Sequence, residues 1–256
     1  MLRKLLICGL VAGACGGLLA TGFVALAGEP AVDKSIAYEK VHEHAAGAAM
    51  QHAEPAPVSR SLQKSAGLLT AALVYGVALG GMFALGFAVA YGRVARGSPR
   101  ATAYGLAAAA FVVVYLVPFV KYPASPPGAT DTDTIGTRTA LYVTMIAISL
   151  LAAVFAARLR PTLRRRFDTA TANFGTALAF LVVVVAGGLV LPGVHEIPSG
   201  FPATALWRFR EASVGMQAVL WTTIGLVFAP AAQRVLTGQP IIARRRAVSH
   251  GALPAD

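Results

Sequence analysis

The sequence predicts an all-α integral membrane protein with six transmembrane helices. We expect three outward-pointing hairpins with both termini in the cytoplasm. The prediction rests on the composition, on six uncharged apolar blocks and on the distribution of the basic residues. The 256 residues are 56% hydrophobic and only 13% charged, and a typical soluble domain has about twice that charged fraction.

Six apolar blocks contain no Asp, Glu, Lys, Arg or His: Leu5–Ala27, Gly67–Ala90, Ala103–Phe119, Ala140–Ala157, Phe174–Leu191 and Val214–Ala229. Each approaches the roughly 20 residues that cross a bilayer core. A backbone in lipid must satisfy its own hydrogen bonds, so these blocks are expected to be helices. The predicted spans are about 5–27, 67–91, 102–119, 140–158, 173–192 and 213–231. They form one membrane domain, residues 1–240, followed by a basic cytoplasmic tail, 241–256.

The basic residues set the predicted orientation. If the N-terminus is cytoplasmic, fourteen of the twenty-two Lys and Arg residues lie on the cytoplasmic side, and nine of the eleven acidic residues lie outside. This bias agrees with the positive-inside rule. The net charge of +11 is therefore assigned to membrane topology, and no nucleic-acid partner is expected.

The first block has some features of a secretory signal, since Arg3 and Lys4 precede it and small residues end it. Its apolar run is longer than the 7–15 residues typical of a signal. We expect an uncleaved anchor, followed by an outer loop over residues 28–66.

No ionisable residue of the Asp, Glu, Lys, Arg or His kind falls within an apolar block, which argues against a buried proton relay. The polar residues available inside or at the ends of the spans include Tyr75, Tyr115, Ser149 and Gln217. The sequence contains no phosphate-binding glycine loop and no Ser-His-Asp arrangement, and an enzyme is not predicted. A cation permease, a membrane scaffold and an enzyme that uses outer-loop residues stay open from the residues alone.

Candidate metal ligands lie in the predicted outer segments: Glu39, His42, Glu43, His44, His52, His195 and Glu196. Imidazole and carboxylate together suit Co, Ni, Zn or Cu(II). A solvated polar connector is the alternative interpretation of the loop. No tightly bound cofactor is expected.

Proline and glycine predict local features of the helices. Pro118 and Pro192 lack an N–H, so the outer ends of the third and fifth helices are expected to loosen there. The freed carbonyls would bond to neighbouring helices or to a bound cation. The spacing of Gly9, Gly13 and Gly17 on one face predicts close packing of the first helix.

Four stretches are distinctive: YGVALGGMFALGFAVAYGR (75–93), SPRATAYGLAAAAF (98–111), LVPFVKYPASPPGA with IGTRTALY (116–142), and GFPATALWRFREASVGMQAVLW (200–221). They resemble the CbtA family of predicted cobalt-transporter subunits over nearly the full length. The resemblance implies a multi-pass subunit of the bacterial cytoplasmic membrane that takes up cobalt for cobalamin synthesis, with cobalt as substrate. It also implies a one-span CbtB-type partner bearing histidines.

The resemblance favours the motif positions over the loop histidines as functional residues: Lys121, Tyr122, Pro123, Pro126, Pro127, Arg138, Trp207, Arg208 and Arg210. The alternatives are an accessory subunit without its own path, and transport of nickel or copper. A homo-oligomer is also left open.

The cationic members of this set would repel a free divalent cation at the outer mouth. One interpretation, which we prefer, is that they pair with Asp131, Asp133, Glu196 and Glu211 and fix the loop geometry. The other is that the substrate arrives chelated and anionic.

Overall fold

The computed structural model describes residues 1–27, 67–93, 97–126, 129, 132–194, 197–198 and 200–239. Its six helices are α1 (Leu2–Ala27), α2 (Leu68–Ala90), α3 (Pro99–Lys121), α4 (Ile135–Arg164), α5 (Thr169–Val190) and α6 (Ala203–Leu236). All six are long and apolar enough to cross a membrane, and the described residues contain no strand. The predicted all-α fold with six spanning helices is confirmed.

The two longest helices extend beyond their apolar blocks. The fourth block covers 140–157, whereas α4 runs from Ile135 to Arg164. The sixth block covers 214–229, whereas α6 runs from Ala203 to Leu236. The added turns carry Arg138 and Arg210. A helix can continue past the hydrocarbon core because its charged side chains there reach the polar boundary. Hydropathy therefore located the crossings but not the helix ends.

Glycines bring α1 and α2 into close antiparallel contact. Gly13 lies against Gly76, and Gly9 lies against Gly80, with almost no space between the two backbones. A Cβ atom on Gly13 would overlap the carbonyl oxygen of Gly76. The predicted glycine face of α1 is thus the face that packs on α2.

Helices α1, α2, α3 and α6 share one hydrophobic core. Helix α6 packs extensively against both α1 and α3. Edge-to-face aromatic contacts connect α2 to α6: the ring centroids of Phe83 and Phe228 are 5.1 Å apart, as are those of Phe87 and Phe228. These four helices form the central bundle.

Helices α4 and α5 form a separate antiparallel pair that joins the bundle through α3. Ile148 of α4 fits against Gly187 of α5, and a smaller core includes Tyr122, Met145 and Val184. Because α5 packs mainly on α4 while α6 packs on α1 and α3, the fifth and sixth helices do not pack as an isolated hairpin. The orientation of the termini stays a prediction.

Pro118 is accompanied by the expected loosening of α3, but the helix continues beyond it. Helix α3 does not end there but adopts a π-helical segment over Phe111–Leu116 and then continues to Lys121. In a π pattern, residue 118 would donate to the carbonyl of Val113, which proline cannot do. The hydroxyl of Ser149 on α4 donates to that carbonyl instead. Helix α5 ends at Val190, two residues before Pro192, as expected for a helix that meets a proline.

Candidate functional site

A cavity of about 430 Å³ lies where the end of α3, the start of α4, the segment after α5 and the start of α6 converge. We call this end of the molecule, opposite the first residues of α1, the distal end; it is the predicted outer side. The cavity is lined by Tyr115, Phe119, Lys121, Tyr122, Pro123, Ala124, Ser125, Ile135, Arg138, Thr139, Tyr142, Val194, Ile197 and Arg210. Its volume is in the range of small-molecule sites, roughly 300–1,000 Å³.

Two long-range hydrogen bonds hold the wall that follows α3. The Tyr122 hydroxyl donates to the carbonyl of Pro192 at 2.8 Å. The Nε–H of Arg210 donates to the carbonyl of Ala124 at 3.3 Å. Desolvation raises the pKa of Tyr122, so its phenol remains a neutral donor at ordinary pH. These bonds tie the wall to the end of α5 and to α6.

The charged residues that line the cavity are all cationic. They are Lys121, Arg138 and Arg210, and the described lining residues include no Asp or Glu. The Lys121 ammonium lies 5.7 Å from the centre of the Tyr122 ring. A divalent cation about 4 Å from one such group would be repelled by roughly 8 kcal/mol at an effective dielectric constant near 20. The cavity as described therefore disfavours a bare divalent ion.

Of the four acids expected to pair with the cations of the cavity, two lie among the described residues. Asp133 and Glu211 are exposed, and neither lines the cavity. Asp131 and Glu196 lie outside the described residues. The preferred interpretation, that four acids pair with the mouth cations, thus stays a prediction.

A group of tyrosines extends inward from the cavity. Tyr115 and Tyr142 line it, and Tyr75 of α2 lies near both of them. The Tyr115 side chain is 8% exposed, and among the described residues its hydroxyl has no hydrogen-bond partner. The side-chain N–H of Gln217 donates to the Tyr75 hydroxyl at 3.0 Å. Polar groups from four helices therefore meet just beneath the cavity.

Within the described chain, five buried side-chain atoms have no hydrogen-bond partner: Thr102 Oγ1, Tyr115 Oη, Gln217 Oε1, Trp221 Nε1 and Gln233 Oε1. All five residues lie on α3 or α6, two helices that pack against each other. We call this set the polar seam. Two of its members also contact α2: Gln217 bonds to Tyr75, and Trp221 packs edge-on against Phe83.

The seam is energetically unusual for a membrane interior. An unsatisfied polar group in hydrocarbon costs several kcal/mol. Water or a polar solute beside these side chains would supply the missing partners. The α1–α2 contact offers no such space, because its glycine backbones touch.

The structure separates the predicted mouth residues into groups. Lys121, Tyr122, Pro123, Arg138 and Arg210 line the cavity. Pro126 is fully buried, Trp207 is 62% exposed, and Arg208 is exposed outside the cavity. Pro127 lies outside the described residues, as do all the predicted metal ligands: Glu39, His42, Glu43, His44, His52, His195 and Glu196.

Nothing in the sequence singled out Tyr142 or Trp221. Tyr142 lies near a span end, where aromatic residues are usual interfacial anchors, and Trp221 lies in the middle of an apolar block, where an aromatic residue is ordinary packing. Tyr115 and Gln217 were noted as polar residues in the spans, but nothing in the sequence brought them together. Among the described residues, no group of three or more His, Cys, Asp or Glu side chains could hold a metal.

The comparisons with known proteins agree with the architecture. The model of the CbtA family, described as a probable cobalt transporter subunit, matches residues 2–233. No protein of curated function and no solved structure matches the chain.

Proposed function

The chain belongs to the CbtA family of probable cobalt transporter subunits, and from that premise we propose that it is the membrane subunit of a cobalt uptake system with a permeation path of its own. The substrate enters the distal cavity from the outer side of the bacterial cytoplasmic membrane. It then passes along the polar seam between α3 and α6. Cobalt is the cargo of this path and not a resident cofactor.

The observation that carries the proposal is the continuity of cavity and seam. Tyr115 belongs to both, since it lines the cavity and its hydroxyl is one of the five unpartnered atoms. It also lies in the π-helical segment of α3, and π segments frequently mark functional positions in helices. Tyr115 therefore connects the cavity to the polar seam.

A one-span CbtB-type partner fits this path. Transition metals are held by imidazole, carboxylate or thiolate, and the described residues of this chain supply no cluster of such groups. Histidines contributed by the partner would complete the metal's coordination. The same observation supports the second candidate, an accessory subunit that positions a path formed elsewhere.

Cobalt accumulation in cells tests the proposal. The chain and its one-span partner are expressed in cells without other cobalt importers, and cell cobalt is measured by elemental mass spectrometry. Gln217→Leu removes a seam residue that lacks one partner. Thr223→Val is the matched control, because Thr223 is equally buried on α6 but donates to the carbonyl of Val219 at 2.7 Å.

We expect wild type and Thr223→Val to accumulate cobalt, and Gln217→Leu to lose most of the accumulation at equal protein level. Equal accumulation by both variants would favour the accessory role. Nickel and copper are measured in the same samples to identify the metal. Replacing His42, His44 and His52 together tests the outer loop, and a selective loss there would identify the loop as a metal collector.

A further inference from the structure

The chemistry of the distal cavity indicates the form in which the metal arrives. We infer that the cavity is an oxyanion site, which takes the metal as an anionic complex with oxygen ligands instead of as a bare cation. This inference rests on the proposed function for the identity of the metal. The anion site itself rests on the lining residues.

The lining carries positive charge from several elements. Lys121 comes from the end of α3, Arg138 from α4 and Arg210 from α6. Ammonium and guanidinium groups form their strongest hydrogen bonds with carboxylate and phosphate oxygens. A guanidinium has five N–H donors, and the bond from Arg210 to Ala124 engages only its Nε–H.

Tyr115 adds a donor on the inward side of the cavity. Its side chain is more than nine-tenths buried, and its hydroxyl has no partner among the described residues. A buried hydroxyl without a partner costs free energy unless a ligand or water bonds to it. An oxyanion in the cavity would accept from this hydroxyl, which a bare cation could not do.

The size of the cavity agrees with a complex larger than the hydrated ion. A metal ion with six waters occupies roughly 200 Å³, if each water takes its usual share of liquid volume. The cavity holds about 430 Å³. It therefore has room for a metal with a small polycarboxylate around it.

Binding to the purified full-length chain tests the inference without any transport step. The protein is placed in nanodiscs of phosphatidylcholine and titrated calorimetrically with three probes: citrate, the Co(II)–citrate complex, and CoCl₂ alone. Arg210→Gln and Lys121→Gln each remove one cation from the cavity. Arg208→Gln is the control, since Arg208 lies two residues away on the same helix and is exposed outside the cavity.

We expect citrate and Co(II)–citrate to bind and each cavity variant to weaken binding about tenfold or more, with Arg208→Gln unchanged. Binding of CoCl₂ alone that survives both cavity variants would overturn the inference, as would equal affinities in all three variants. Either result is compatible with cobalt accumulation in cells. The binding experiment therefore tests the oxyanion site, and the accumulation experiment tests the proposed function.

A lipid phosphate has the same oxyanion chemistry as a soluble chelator. A second binding experiment therefore distinguishes a lipid headgroup from a soluble ligand. The binding experiment is repeated in nanodiscs that contain phosphatidylglycerol, and lipids retained by the protein are identified by native mass spectrometry. Citrate affinity that is unchanged by phosphatidylglycerol supports a soluble ligand. Retention of phosphatidylglycerol by wild type but not by Arg210→Gln, with no citrate binding, assigns the site to a lipid headgroup and overturns the anionic metal complex.

Discussion

At the scale of single residues, Pro118 removes one backbone donor from α3 and Ser149 on α4 compensates for it. The Ser149 side chain is completely buried, and its hydroxyl donates to the Val113 carbonyl in the π-helical segment. Ser149 thereby connects α4 to the part of α3 that carries Tyr115. The same hydroxyl also lies 3.0 Å from the carbonyl of Ile146 in its own helix, the usual partner of a hydroxyl in a membrane helix, so Ser149 is shared between α4 and the irregular stretch of α3.

We predict that Ser149→Ala destabilises the protein by about 1 kcal/mol, because it leaves the Val113 carbonyl with no side-chain donor in a buried position. Thr144→Val is the control, since the exposed Thr144 hydroxyl donates to Ala140 of its own helix at 2.8 Å. Unfolding in detergent micelles with increasing SDS, followed by tryptophan fluorescence, measures both variants. Equal midpoints for the two variants would show that the interhelical bond adds nothing.

Asp168 has a local role at the start of α5. Its carboxylate accepts from the backbone N–H groups of Ala170 at 2.9 Å and Thr171 at 3.2 Å, as an N-cap. Hydrogen bonds from the Thr171 side chain and backbone, and from the Ala170 backbone, lower the pKa of Asp168 below its usual value. The cap therefore stabilises the protein mainly while the carboxylate is ionised.

This shift predicts a pH dependence with a definite sign. The folded-state pKa of Asp168 lies below the unfolded value near 3.9. Its contribution is fully present above the unfolded pKa and is lost as the pH falls through the folded pKa. We expect wild type to lose stability below about pH 4 relative to Asp168→Asn, which keeps an acceptor that cannot titrate. Midpoints of SDS unfolding between pH 7 and pH 3 measure the difference, and parallel curves would contradict the prediction.

At the scale of helices, the α1–α2 contact depends on the absence of side chains at specific positions. A Cβ atom on Gly13 would overlap the backbone of Gly76, whereas a Cβ on Gly86 would meet no atom within 4 Å. Gly86 is on α2 and serves as a matched control. The two glycines differ in what faces them, although both lie in apolar helical sequence.

We predict that Gly13→Ala destabilises the bundle by roughly 2–3 kcal/mol, the upper part of the usual range for overpacking, because the added atom meets backbone. Gly86→Ala should be neutral or stabilising by up to roughly 1 kcal/mol, since alanine favours helix over glycine. The same SDS titration compares them. If Gly13→Ala unfolds at the wild-type midpoint, the two helices have room to separate, and the close contact is not what holds them.

At the scale of the whole molecule, the sequence predicted the crossings well because hydrophobicity is a property of contiguous residues. Six uncharged blocks become six helices, and the glycine spacing of α1 identifies its packing face. The helix partners could not be read in the same way. That α5 packs on α4, while α6 packs between α1 and α3, depends on surfaces that are all similarly apolar.

Which residues line the candidate site also could not be predicted from the sequence alone. Arg208 and Arg210 are indistinguishable in the sequence, yet only Arg210 lines the cavity. Residues two apart on a helix point in different directions. To choose between Arg208 and Arg210, one must know which face of α6 is turned toward α3. Pro118 signalled an irregular backbone near the site, but the π segment and the partnership with Ser149 depend on where α4 lies. The polar seam needed two helices in contact before its members formed a group.

The seam also predicts how the helices must behave during transport. A solute that passes between α3 and α6 requires them to separate, whereas α4 and α5 can stay together. A Cβ atom on Gly225 would lie 3.0 Å from the Cβ of Ala107 across the α3–α6 interface. A Cβ atom on Gly187 would lie 3.7 Å from the Cβ of Ile148 across α4–α5. The second distance lies within the roughly 3.5–4.5 Å that a disulfide spans, and the first is short of it, so α3 and α6 move slightly apart to form the bond.

We therefore predict that a disulfide in A107C/G225C blocks transport and that one in I148C/G187C does not. Both pairs are made in a chain whose own Cys8 and Cys15 are replaced by alanine, and cross-linking is followed by gel mobility. Cobalt uptake into proteoliposomes with the one-span partner should fall at least tenfold on oxidation of the α3–α6 pair and return on reduction. The α4–α5 pair should keep at least half of its uptake under the same oxidation. Full uptake through a completely cross-linked α3–α6 pair would exclude the seam as the path, because a covalently closed interface cannot open to admit a solute.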